Sequence, residues 1–92
     1  MESGIDQALE SILQSEDPRP YGVLLVDSEG LCLGAKGQAP RAVAPQAASI
    51  ASRASLLSGS PSDKITIRIE TETSSITIRP DQNFTLALFK SN

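Results

Sequence analysis

Ninety-two residues set the scale of one compact domain, and a chain of that length removes a little over ~60 % of its unfolded surface from water, enough for a core without metal or disulfide support. Eight Lys and Arg against eleven Asp and Glu give a net charge of −3, spread along the chain, so the basic stripe that draws a protein to nucleic acid is missing and no nucleic-acid partner is expected. There is no histidine, which removes the commonest general base, most zinc sites and the usual serine and cysteine triads; no enzyme activity, cofactor or metal is expected.

The chain opens with Ile5, Ala8, Leu9, Ile12 and Leu13 on one helix face between Ser3 and about Ser15, with Ser3 and Asp6 spaced like a capping box. Glu16-Asp17-Pro18-Arg19-Pro20 ends that helix, because each proline disfavours helical backbone in the residue before it. Tyr21 to Val26 is almost continuously apolar, as in a strand covered on both faces. Asp27-Ser28-Glu29-Gly30 then reads as a hairpin turn, Gly30 supplying positive φ, and a second strand runs on to Gly37. Cys32 lies within that strand and reads as a small hydrophobe in a reducing setting.

A second helix is predicted from about Arg41 to Leu57, its regular part starting near Ala42 to Ala44 because Pro45 is tolerated only in a first turn. Val43, Ala47, Ile50, Ala54 and Leu57 form the stripe expected to cover a sheet. Beside it lies a row of small residues, Ala44, Ala48, Ala51 and Ser55, that would let another backbone come close. A connector of turn residues follows, then three strands: Lys64 to Glu70, Ser75 to Arg79 and Phe84 to Phe89. The first two alternate isoleucine with polar residues, giving one buried and one wet face, whereas Phe84-Thr-Leu-Ala-Leu-Phe89 is apolar on nearly both sides and belongs beside the first strand.

These patterns predict an α+β fold of helix, hairpin, helix and three-stranded meander, with a five-stranded antiparallel sheet ordered 2-1-5-4-3. The second helix is expected to cover one face fully and the first to shield the centre of the other. The third strand becomes an exposed edge carrying Ile65, Ile67 and Ile69, an association hazard in a monomer unless a partner strand occupies it. The expected subunit interface is therefore Ile65, Thr66, Ile67, Arg68 and Ile69 on that edge with Ala47, Ala48, Ala51 and Ser55 on the second helix.

Other candidates weigh less. Gly30, Gly34 and Gly37 with Lys36 lack the spacing and the following Ser or Thr of a phosphate loop, and read as turn and bulge glycines. Asp27 and Glu29 are expected to hydrogen-bond the backbone of their own turn. Arg68 and Arg79 sit among Glu70, Glu72 and Asp81 on a mixed, solvated face. The first residues lack a basic run followed by an apolar core, Glu2 stands where a myristoylated glycine would be, and no stretch reaches the ~18 apolar residues of a spanning helix. Any membrane residence is expected to come through partners, without direct insertion.

The element order is that of the roadblock/profilin-like fold, and Met1-Glu-Ser-Gly-Ile-Asp-Gln-Ala-Leu-Glu10, Tyr21-Gly-Val-Leu24, Asp27-Ser-Glu-Gly-Leu31, Leu33-Gly34 and Ser60-Pro-Ser-Asp63 resemble a roadblock-fold Ragulator subunit over nearly the whole length. The hairpin is the specific part. Pro40 and Pro45 around the start of the second helix, and its Ala and Ser content, depart from that pattern. The resemblance implies a non-enzymatic scaffold that pairs with a second roadblock subunit as a heterodimer. It also implies that a lipidated scaffold subunit holds the chain, otherwise cytoplasmic, on late endosomes and lysosomes, where it supports Rag GTPases and amino-acid signalling to TORC1. A longin-like or profilin-like domain that binds a small ligand or regulates a GTPase as a dimer is the alternative; a convergent polar pocket or an invading arginine would mark it, and neither is visible in the linear sequence.

Overall fold

The chain alternates between helical and strand periodicity, and a computed structural model, which describes residues 4–60 and 63–91, turns each run into an element. In order these are α1 (Gly4–Ser15), β1 (Gly22–Asp27), β2 (Cys32–Gly37), a 3₁₀ turn (Arg41–Val43), α2 (Ala44–Ser55), β3 (Ile67–Glu70), β4 (Ser74–Pro80) and β5 (Phe84–Ser91). The strands form a five-stranded antiparallel sheet ordered β2-β1-β5-β4-β3, as the patterns predict. Ser3 of the expected capping box and Pro61 and Ser62 of the connector lie outside the described residues.

The hairpin behaves as its residues require. Asp27 Oδ1 accepts from the backbone N–H groups of Glu29 and Leu31, both at 2.9 Å, so the carboxylate is used in shaping its own turn. Gly30 sits at φ +92°, a conformation that penalises any side chain, and a Cβ there would lie 3.1 Å from the Pro45 Cα. β1 and β2 slip register between Leu25, opposite Gly34, and Val26, opposite Cys32, so Leu33 is the extra residue of a bulge.

The face under α2 carries the larger core: Leu24, Val26, Ile78, Ala87 and Phe89 from the sheet against Ala44, Ala47 and Ala51 from the helix. The buried stripe of α2 is thus made of alanines, and differs from the predicted Val43, Ala47, Ile50, Ala54, Leu57. Small side chains let the helix backbone settle close to the sheet, and the larger Val43 and Ile50 are turned to its flank. Regular helix stops at Ser55, two residues before the predicted end, because Leu56, Leu57 and Ser58 donate to carbonyls three residues back instead of four. That tighter winding carries Leu57 off the stripe.

On the opposite face α1 packs over β2 and β1, not over the centre of the sheet as expected. Gly34 permits this approach, since a Cβ there would come within 2.9 Å of Ile5 Cγ2 and 3.0 Å of Leu9 Cδ1. Leu9 of α1 is fully buried against the sheet, as are Val23 and Leu88 beneath the helix, while a groove of about 450 Å³ stays open beside it, bordered by Ala8, Ile12, Leu86, Phe84 and Arg79.

Candidate subunit interface

β3 is the free edge of the sheet on its outer side. Its register with β4 pairs Ile67 with Ile78 and Ile69 with Ile76. Thr71 donates its N–H to the Ser74 carbonyl at 2.8 Å, which makes the odd-numbered residues the ones whose backbone groups point into the sheet. Those of Thr66, Arg68 and Glu70 consequently point outward. The strand is shorter than the predicted Lys64 to Glu70, and Pro80 explains why. Extending the register would set Ile65 opposite Pro80, whose ring nitrogen has no proton to donate. Lys64, Ile65 and Thr66 are thus left without a ladder, with Lys64 and Thr66 exposed and Ile65 half-buried.

The isoleucines continue the α2 face outward. Ile67, Ile69 and Ile76 are half-buried and pack against the core from the side. Beyond the flank of α2, Ile69 and Ile76 floor an apolar groove of about 310 Å³, walled by Val43, Ile50, Tyr21 and Phe89. Tyr21 and Phe89 are tilted 46° with centroids 6.2 Å apart, a favourable aromatic arrangement. Ala47 lines this groove from under the helix at 5 % exposure. Ala48, Ala51 and Ser55 border a smaller cleft of about 240 Å³ on the opposite flank, facing Ser28 and Gln82, and Ser55 Oγ donates to the Ala51 carbonyl at 2.9 Å. The helix residues expected at the interface are therefore divided between two flanks, and Ala51, at 3 % exposure, is spent on the chain's own core.

Leu56 and Leu57 are 84 % and 89 % exposed, the most exposed large apolar side chains among the described residues. The sequence reading missed them as surface features, counting Leu57 into the buried stripe. The signal available was the pair itself, two leucines running directly into Ser58-Gly59-Ser60.

The remaining candidates are occupied by local structure. Arg68 Nε donates to Glu70 Oε1 at 2.7 Å on the exposed face, and Glu16, at the end of α1, takes both Arg79 and Lys90 at 3.6 Å. Cys32 Sγ lies 3.5 Å from the Gly34 carbonyl and 3.8 Å from Arg41 Nη1, half-buried at the side of the core. Among the described residues no cluster of His, Cys, Asp and Glu could hold a metal ion, and no helix is long and apolar enough to cross a membrane.

A family model described as Ragulator complex protein LAMTOR5 matches residues 1–90. Solved structures share the fold at low identity. A roadblock/LC7 domain from Streptomyces avermitilis superposes with TM-score 0.76 at 19 % identity, covering 97 % of this chain and 79 % of that one. The gliding protein MglB from Thermus thermophilus gives 0.78 at 18 % identity, covering 99 % and 76 %. Myxococcus xanthus MglB gives 0.74 at 17 %, covering 100 % and 76 %.

Proposed function

The chain belongs to the Ragulator LAMTOR5 family, and from that membership we propose that it is a non-enzymatic scaffold subunit, similar to the hepatitis B X-interacting protein, that pairs with a second roadblock subunit through β3 and α2. The observation that carries the reading is the unpaired edge: outward N–H and C=O groups on Thr66, Arg68 and Glu70 stand beside a continuous apolar floor of Ile67, Ile69 and Ile76. A strand from a partner would satisfy those groups and extend that floor, as strand addition does at other sheet edges. Ile65, brought into line by the partner, would lengthen the seam.

On this reading the heterodimer is held on late endosomes and lysosomes by a lipidated scaffold subunit, and the assembly supports Rag GTPases and amino-acid signalling to TORC1. Three of its basic side chains, Arg79, Lys90 and Arg68, are each within ion-pair distance of a glutamate, and no helix among the described residues is long and apolar enough to cross a membrane. Native affinity purification from cells, with identification of the small subunits that come along, tests the proposal. A co-purifying roadblock subunit lost on Thr66→Pro supports it; recovery of the chain with no roadblock subunit overturns it.

A further inference from the structure

We propose that the groove beside α1 binds a single-chain alkyl carboxylate, its chain laid on Leu25 and Leu86 and its carboxylate held at Lys64 and Arg79. The groove is on the face of the sheet opposite α2, so the inference stands apart from the pairing proposed above.

The cross-strand register builds this site. Gly34 faces α1, since a Cβ there would meet Ile5 and Leu9. Directly opposed residues of neighbouring strands share a face, so Leu25 opposite Gly34, Leu86 opposite Leu25 and Arg79 opposite Leu86 form one row across that side. The helix covers only the Gly34 end of the row. Leu25 and Leu86 remain half-buried, Phe84 in the same groove is 45 % exposed, and Ile5, Ala8 and Ile12 make the helix wall. The row therefore runs from apolar beneath α1 to cationic at its far end.

Shape and polarity select the class of ligand. The groove's volume of about 450 Å³ falls within the range of roughly 300–1,000 Å³ usual for small-molecule sites. Its floor belongs to β1 and β5, interior strands whose backbone groups are engaged by a neighbour on each side. An extended peptide laid there would strip water from its own N–H and C=O groups and find no replacement, whereas an alkyl chain has no such groups to desolvate. The rim then favours an anionic head. Among the described residues Lys64 has neither an ion pair nor a hydrogen bond, and the Arg79 side chain stays 46 % exposed although it meets Glu16 at 3.6 Å. Asp81, the acid on this rim, uses Oδ1 to accept the Gln82 N–H at 2.8 Å in its own turn. A carboxylate at the end of the row thus meets two cationic donors.

Titration of the purified full chain with octanoate, decanoate and dodecanoate, each kept below its micelle-forming concentration, tests this by calorimetry and amide NMR. Saturable binding of one equivalent is expected, with shifts centred on Ala8, Leu25 and Leu86. Affinity should rise by about two- to fourfold per added methylene, the upper figure corresponding to complete removal of a methylene from water. Lys64→Glu should weaken decanoate at least tenfold and leave 1-decanol binding unchanged, a split that a merely structural role would not produce. Ala8→Trp, on the exposed wall of the helix, should abolish binding of both while preserving the unfolding midpoint. Binding seen only once micelles form, or shifts centred on Val43 and Ile69 in the groove on the other face, overturns the site. Equal effects of Lys64→Glu on decanoate and 1-decanol overturn the carboxylate assignment.

Discussion

Thr66→Pro separates the edge from the fold because Thr66 lies outside the β3 ladder and its N–H points away from β4. In the isolated chain that donor faces water, and the side chain is exposed. Replacing it removes no intramolecular hydrogen bond, and the restriction that proline places on Ile65 favours the extended backbone a strand needs. The cost to monomer stability should therefore stay within about 0.5 kcal/mol, the range of surface substitutions. Across the interface the same donor would meet a partner carbonyl. Losing that bond costs about 0.5–1.5 kcal/mol, and leaving the partner's acceptor buried and unpaired adds about 1–3 kcal/mol. A total of roughly 1.5–4.5 kcal/mol weakens pairing by about 10- to 1,500-fold, at 1.4 kcal/mol per factor of ten. Urea unfolding of the dilute chain, followed by circular dichroism, gives the first quantity, and retention by an immobilised roadblock partner gives the second. Partner retention at the wild-type level would refute the edge as the pairing site, and a large loss of monomer stability would refute the outward direction of the Thr66 N–H.

Three further outcomes follow from burial and backbone geometry. Ala51→Arg should fail at the level of folding, because a guanidinium at this 3 % exposed position must be forced between α2 and the sheet; urea denaturation should show a loss of several kcal/mol before any pairing assay is meaningful. Gly30→Ala should destabilise by about 1–3 kcal/mol, from the positive φ and the Pro45 Cα only 3.1 Å from the new methyl, and a Tm within a degree of wild type would contradict the turn geometry. Cys32→Ala should cost about 1 kcal/mol by trimming a half-buried side chain and leave partner retention intact, whereas loss of pairing with stability preserved would give the thiol a role that packing does not explain.

The strands, their order and the free edge were legible in the sequence because period-two alternation is a local property. Ile65, Ile67 and Ile69 against Thr66, Arg68 and Glu70 announce one apolar face wherever that strand is placed, and the doubly apolar runs Tyr21–Val26 and Phe84–Phe89 leave only central positions for themselves. The hairpin residues, with Asp27 and Gly30 shaping the turn, were specific enough to point to the family. Tertiary structure decided what depends on distance between elements. Which stripe of α2 faces the sheet could not be read from hydrophobicity, since the alanines won by allowing the closest approach and left Val43 and Ile50 to the flank. The place of α1 depended on the missing side chain of Gly34, a residue whose meaning is set by what lies above it. Pro80 shortened β3 from the neighbouring strand, and a change of winding after Ser55 released Leu56 and Leu57 to the surface. Local pattern tells which residues avoid water; only the assembled sheet tells which of them the chain can cover by itself and which are left for a partner.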